Sequence, residues 1–131
     1  MIRPQVECGS ARWGMGDGVV IDTVRSYSSG VVGRSLNSAR TNHFVLDSSS
    51  GPNEALNSAE AFLAGISSCG VNLIEMHARD TGVPLRSLHV TIAGTRSPAH
   101  PGTFESVTMR FELQGVDQAQ AEALVETYRH R

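Results

Sequence analysis

Apolar and polar positions alternate through two stretches of the first half, VVIDTVRSY (Val19 to Tyr27) and GVVGRSLNSARTNHFVLD (Gly30 to Asp47). A period of two predicts strands of a meander or hairpin. SSSGPN, Ser48 to Asn53, breaks the alternation with serine, glycine and proline. The period then changes. Phe62, Ile66, Cys69, Leu73 and Met76 recur at helical spacing and form one stripe, while Ala61, Ala64, Gly65, Ser68 and Asn72 make a second, small-sided face. Asn57 followed by Glu60 has the capping-box spacing that opens a helix, and TGVP, Thr81 to Pro84, closes it. About two dozen helical residues span roughly 35 Å. A helix so apolar and so small-sided is expected deep in a core or an interface.

LRSLHVTIAG (Leu85 to Gly94) alternates again, with Leu88, Val90 and Ile92 on one face and His89 and Thr91 on the other. After the turn-rich TRSPAHPGT comes FESVTMRFELQG, predicting a hairpin with a longer loop. Asp117 with Gln120 is a second capping box, opening a helix that runs to the chain end. Strands, helix, strands, helix is an order that favours an α+β fold over a parallel α/β sheet.

Composition narrows the chemistry. The 131 residues suit a single domain, and a formal charge of -2 without a basic run gives no electrostatic reason to expect nucleic acid or an anionic membrane surface. All 11 basic residues are arginine, so Schiff-base chemistry and a lysine base are excluded and any cation at a site is a guanidinium or a charged histidine. The amino end carries charges and no apolar segment of the signal-peptide kind, and the uncharged run Ala61 to Ile74 is too short to span a bilayer. The expectation is a soluble cytoplasmic protein. Cys8 and Cys69 have no CxxC spacing, which speaks against a disulfide scaffold. The five histidines show no pair at ligand spacing, and GxGxxG and P-loop patterns are absent, so neither a metal nor a cofactor is expected. GMGDG, Gly14 to Gly18, reads as a turn.

Cys69 stands open between two readings. Free cysteine often fills cores as a small hydrophobe. A reactive one needs its thiolate stabilised, and a helix dipole acts mainly over the first turn, whereas Cys69 lies about three turns in. An outside cation is required. Glu60 is nine residues upstream, on the opposite side of a straight helix and about 13.5 Å along its axis, so it cannot touch Cys69 directly. Its local reading is the helix cap.

The order of these segments resembles the OsmC/Ohr family, the osmotically inducible and organic hydroperoxide resistance proteins. The likeness covers roughly Val19 to Arg131. ARTNHFVLD looks like the family strand in which an arginine and an aromatic lead to an acidic residue. GPNEALNSAEAFLAGISSC is similar to the family's glycine, proline, glutamate and apolar helix ending in a cysteine. The resemblance implies an OsmC-like α+β fold, an antiparallel sheet packed on a long central helix, in an intertwined homodimer with two sites at the subunit interface. It implies that Cys69 is a peroxidatic nucleophile that an organic hydroperoxide oxidises to a sulfenic acid. An arginine and a glutamate would stabilise the thiolate and orient the peroxide, carried by motif position to Arg40 and Glu60, with Arg25 and Arg34 as alternatives for the arginine. Phe62, Ile66 and Met76 would line the apolar side, favouring an alkyl or lipid hydroperoxide over hydrogen peroxide.

One departure bears on activity. Family peroxidases carry a resolving cysteine near the end of the last helix, and no counterpart occurs up to Arg131. The expectation is a single OsmC-like domain over 1–131 that lacks the family's carboxyl-terminal end, or a member served by an external thiol reductant. The competing expectation is a non-catalytic dimer that binds a small apolar ligand at the subunit interface.

Overall fold

The computed structural model describes Gly18 and residues 20–130; Cys8, the GMGDG turn up to Asp17 and Arg131 lie outside the described residues. Strands β1 (Arg25–Ser28), β2 (Arg34–Ala39) and β3 (Asn42–Asp47) form an antiparallel sheet in that order. Helix α1 (Ser58–Thr81) follows, then the antiparallel pair β4 (Ser87–Thr95) and β5 (Ser106–Gln114), and finally α2 (Gln118–Arg129). The fold is α+β, as the order of periods predicts.

Local chemistry sets the ends of both helices. Asn57 and Glu60 form a reciprocal capping box on α1, with Glu60 N donating to Asn57 Oδ1 and Asn57 N to Glu60 Oε2, both at 2.9 Å. Gly82 closes that helix in the left-handed conformation (φ 70°) that glycine adopts without strain. Asp117 and Gln120 repeat the box on α2. β2 and β3 are joined by the two-residue loop Arg40–Thr41, with Arg40 at φ 54°. That loop sets a register in which Arg34 faces Asp47, Leu36 faces Val45 and Ser38 faces His43.

The core lies between the β4–β5 pair and the two helices. Ile74 and Ala78 of α1, Leu88 of β4 and Leu124 of α2 are buried, ringed by partly buried Val71, Val90, Phe111, Leu113, Val125 and Tyr128. Strand alternation supplies the inward rows, since Leu88, Val90 and Ile92 pair with Leu113, Phe111 and Met109. Tyr128 ties α2 to α1 by donating from its hydroxyl to the Ile66 carbonyl at 3.2 Å.

Two parts of the molecule depart from the pattern reading. The buried positions of α1 are Gly70, Ile74 and Ala78, not the stripe through Cys69. That stripe faces away from the chain's own core: Phe62 is 58% and Met76 52% exposed, Cys69 is exposed, and Ile66 and Leu73 are half-buried. Ala64, Gly65, Ser68 and Asn72 are exposed as well. Both stripes satisfy helical spacing, and periodicity alone does not say which one meets the sheet. The β1–β3 sheet is also open, leaving Tyr27, Leu36, Phe44 and Val45 exposed.

Candidate active site

What anchors the open sheet is a buried acid. The Asp47 side chain has no solvent exposure, and it accepts hydrogen bonds from Arg34 Nε at 2.8 Å and Nη2 at 2.7 Å and from the backbone N–H groups of Glu54 (2.9 Å) and Ala55 (3.2 Å). Arg34 Nη2 also reaches Glu54 Oε2 at 2.7 Å. The Asp47 backbone N–H donates to the Leu56 carbonyl at 2.9 Å. These bonds clamp the base of the β2–β3 hairpin to the segment that leads into α1. The Arg34 guanidinium holds the Asp47 carboxyl well below the usual carboxylate range, against the opposing effect of burial, and Asp47 and Glu54 push Arg34 further up. Nearby, Gly33 and Gly51 meet backbone to backbone; a Cβ on Gly33 would lie 2.6 Å from the Gly51 Cα.

Above this clamp is a groove of about 700 Å³. The clamp residues Arg34 and Asp47 form one side, the first turn of α1 with Phe62 another, and Arg96 and Phe104 of the β4–β5 loop a third. Phe62 and Phe104 stack with centroids 6.2 Å apart and planes 16° from parallel. Phe104 rests on β4 at Gly94, where a Cβ would overlap the ring.

The residues expected at the site are spread along this surface. Cys69 is a free thiol about three turns into α1, seven residues beyond Phe62 on the same stripe, about 10.5 Å along the axis. Met76 lies a further seven residues on, so Phe62, Ile66 and Met76 line a strip and not a closed pocket. Glu60 is engaged in the helix cap. Arg40 is exposed in the β2–β3 loop rather than within a strand, and the acidic residue of its segment, Asp47, pairs with Arg34 instead. Arg25 is exposed on β1. Among the described residues no side-chain hydrogen bond reaches the Cys69 sulfur, and no group of three His, Cys, Asp or Glu side chains converges as a metal site would. No helix among them is long and apolar enough to cross a membrane.

The clamp was open to sequence reasoning through one signal. A two-residue hairpin loop at Arg40–Thr41 pairs positions 34 and 47, which carry opposite charges. Phe104 and Arg96 sit in a loop, where no periodicity points to them.

The fold and site together define a class: an α+β chain of two antiparallel sheets in which a 24-residue helix displays a free cysteine on an open apolar stripe. The family model described as OsmC-like protein matches residues 51–131, and the chain belongs to that family. Solved structures share the fold. A hypothetical protein from Aquifex aeolicus VF5 superposes with a TM-score of 0.72 at 16% identity, covering 84% of this chain and 80% of that one. An organic hydroperoxide resistance protein OsmC from Legionella pneumophila gives 0.65 at 18% identity, covering 87% and 85%. The organic hydroperoxide resistance protein OhrB of Bacillus subtilis gives 0.60 at 14%, covering 85% and 84%. At such identities the likeness is one of fold. No curated protein matches the chain.

Proposed function

We propose that this protein is a thiol-dependent peroxidase that reduces organic hydroperoxides through Cys69. The observation that carries the reading is the exposed cysteine at the centre of an apolar stripe on α1, in a chain of the OsmC-like family. The Cys69 thiolate attacks the oxygen of the hydroperoxide that bears hydrogen. The O–O bond breaks, the alkoxide leaves with a proton as an alcohol, and the sulfur keeps one oxygen as a sulfenic acid. An external dithiol then returns the sulfur to a thiol, forming its own disulfide and water. The apolar stripe favours alkyl or aryl peroxides over hydrogen peroxide.

Stabilising the thiolate needs a cation, which the described residues of the single chain do not set beside the sulfur, and the helix end is too far to serve. A homodimer meets that need. A second copy packed over the open stripe buries Phe62, Cys69 and Met76 and can bring an arginine of its own β1–β3 region to the thiol. Of the three candidates, Arg34 is already oriented by two carboxylates, while Arg25 and Arg40 are exposed. Glu60 acts first as the cap of α1; a role in orienting the arginine would be additional to it.

Cys69→Ser should abolish consumption of cumene hydroperoxide in the presence of dithiothreitol, a fall of at least a hundredfold in kcat/KM. Full activity in that variant would remove the reading. The absence of a hydrogen-bonded partner at the sulfur among the described residues favours one second reading, a non-catalytic dimer that holds a small apolar ligand on the same stripe. In that case the thiol is inert and the melting temperature rises with ligand concentration.

A further inference from the structure

One side-chain hydrogen bond joins the end of α2 to the turn of α1 that carries the thiol. The Tyr128 hydroxyl donates to the Ile66 carbonyl at 3.2 Å. The ring lies against α1 at Gly70, where a Cβ would stand 3.5 Å from Cζ and 3.6 Å from Cε1, and it packs on Phe111 with centroids 6.0 Å apart. Ile66 is three residues before Cys69 and Gly70 is the one after it. The ring alone would serve the packing, since phenylalanine fills the same space beside Gly70 and Phe111. The hydroxyl calls for a further reason.

Helix geometry supplies one. In the regular ladder the Ile66 carbonyl takes the N–H of Gly70, and Tyr128 occupies the lone pair that remains. A helical cysteine leans back over the turn before it, where the carbonyls three and four residues earlier, here Ile66 and Gly65, are the acceptors its S–H can reach. A bond of that kind holds the neutral thiol, and the same carbonyl dipole opposes the thiolate. With both lone pairs of Ile66 in use, that acceptor is withdrawn from the sulfur. The groups around the ring are apolar, Met109 and Phe111 of β5, while Glu126 at the exposed end of α2 is met by Arg129 and His130 of its own helix. The hydroxyl is therefore the polar group of this helix end that is aimed at α1.

We propose that Tyr128 is a positioning residue for Cys69: by holding the Ile66 carbonyl, its hydroxyl takes an acceptor away from the thiol and makes the sulfur more reactive at neutral pH. As a role in hydroperoxide reduction the inference rests on the peroxidase reading; the effect on the thiol does not.

Tyr128→Phe keeps the ring and removes the donor. In a Cys8→Ser background, so that Cys69 alone reacts, alkylation by iodoacetamide is timed at pH 7 and at pH 9.5, where an ordinary thiol with a pKa of about 8.5 is mostly ionised. Tyr128→Phe should slow the reaction about threefold at pH 7 and leave it nearly unchanged at pH 9.5. Leu124→Val, which loosens the buried side of α2 without touching the bond, should leave the ratio of the two rates as it is in the unsubstituted protein. An unchanged rate at pH 7 in Tyr128→Phe, equal slowing at both pH values, or the same change of ratio in Leu124→Val overturns the proposal. A second arm measures kcat/KM for cumene hydroperoxide with dithiothreitol at pH 7, which should also fall about threefold in Tyr128→Phe. Alkylation that depends on the hydroxyl without any peroxide turnover supports the proposal and defeats the peroxidase reading; turnover and alkylation indifferent to the hydroxyl defeat the proposal alone.

Discussion

Asp47 is fully enclosed at the end of β3 because four donors converge on its carboxylate: two from Arg34 and two from the backbone ahead of α1. Its ionisation is therefore linked to folding. The folded carboxyl titrates below its ordinary range, so its contribution is fully present above about pH 4, the unfolded value, and is lost as the pH falls from there towards the folded value. Thermal denaturation between pH 7 and pH 3 should show a loss of stability that Asp47→Asn reduces, since that variant has no proton to take up at this position. An equally steep acid limb in Asp47→Asn would show that the clamp does not titrate. The pairing itself was foreshadowed by opposite charges at the two ends of one hairpin. The sequence offered Arg40 more visibly, because it stands beside the aromatic segment, but its positive φ places it in the loop.

Elements show where one-dimensional patterns succeed. Both capping boxes and the glycine stop of α1 are legible, since they are short-range hydrogen-bond devices written in adjacent residues. Replacing Asn57 with alanine removes the acceptor for Glu60 N and should cost about 1 kcal/mol in urea denaturation. The orientation of α1 was not legible, because Gly70, Ile74 and Ala78 compete with the more apolar stripe through Cys69 and only tertiary packing decides between them. Ile74, with no exposed surface, is the stronger test of that packing. Ile74→Ala should lose about 2–5 kcal/mol, whereas Met76→Ala on the open side should lose far less in the same assay. Comparable losses at both positions would mean that the stripe is packed within the folded chain after all.

At the scale of the whole molecule, the exposed stripe of α1 and the exposed apolar residues of the β1–β3 sheet are parts of one account. A three-stranded sheet needs an apolar face covered to be stable, and here Tyr27, Leu36, Phe44 and Val45 are left to solvent by the single chain. Sedimentation equilibrium should give twice the chain mass, and Met76→Glu, which sets a charge in the stripe, should shift the species towards monomer. A monomer in the unsubstituted protein would remove the interface on which the proposed activation of Cys69 depends. The α+β architecture was legible because each element announces itself in its period; the site was not, because no spacing along the chain tells which arginine, if any, meets Cys69, and the described residues of one chain set none beside it. The central claim concerns the sulfur, and its most direct test is to follow Cys69 thiol loss on adding one equivalent of cumene hydroperoxide, with intact mass read at each time. The account predicts stoichiometric loss, much faster than for free cysteine and faster than with hydrogen peroxide, together with the gain of one oxygen and trapping by dimedone. Thiol loss no faster than that of free cysteine would contradict it.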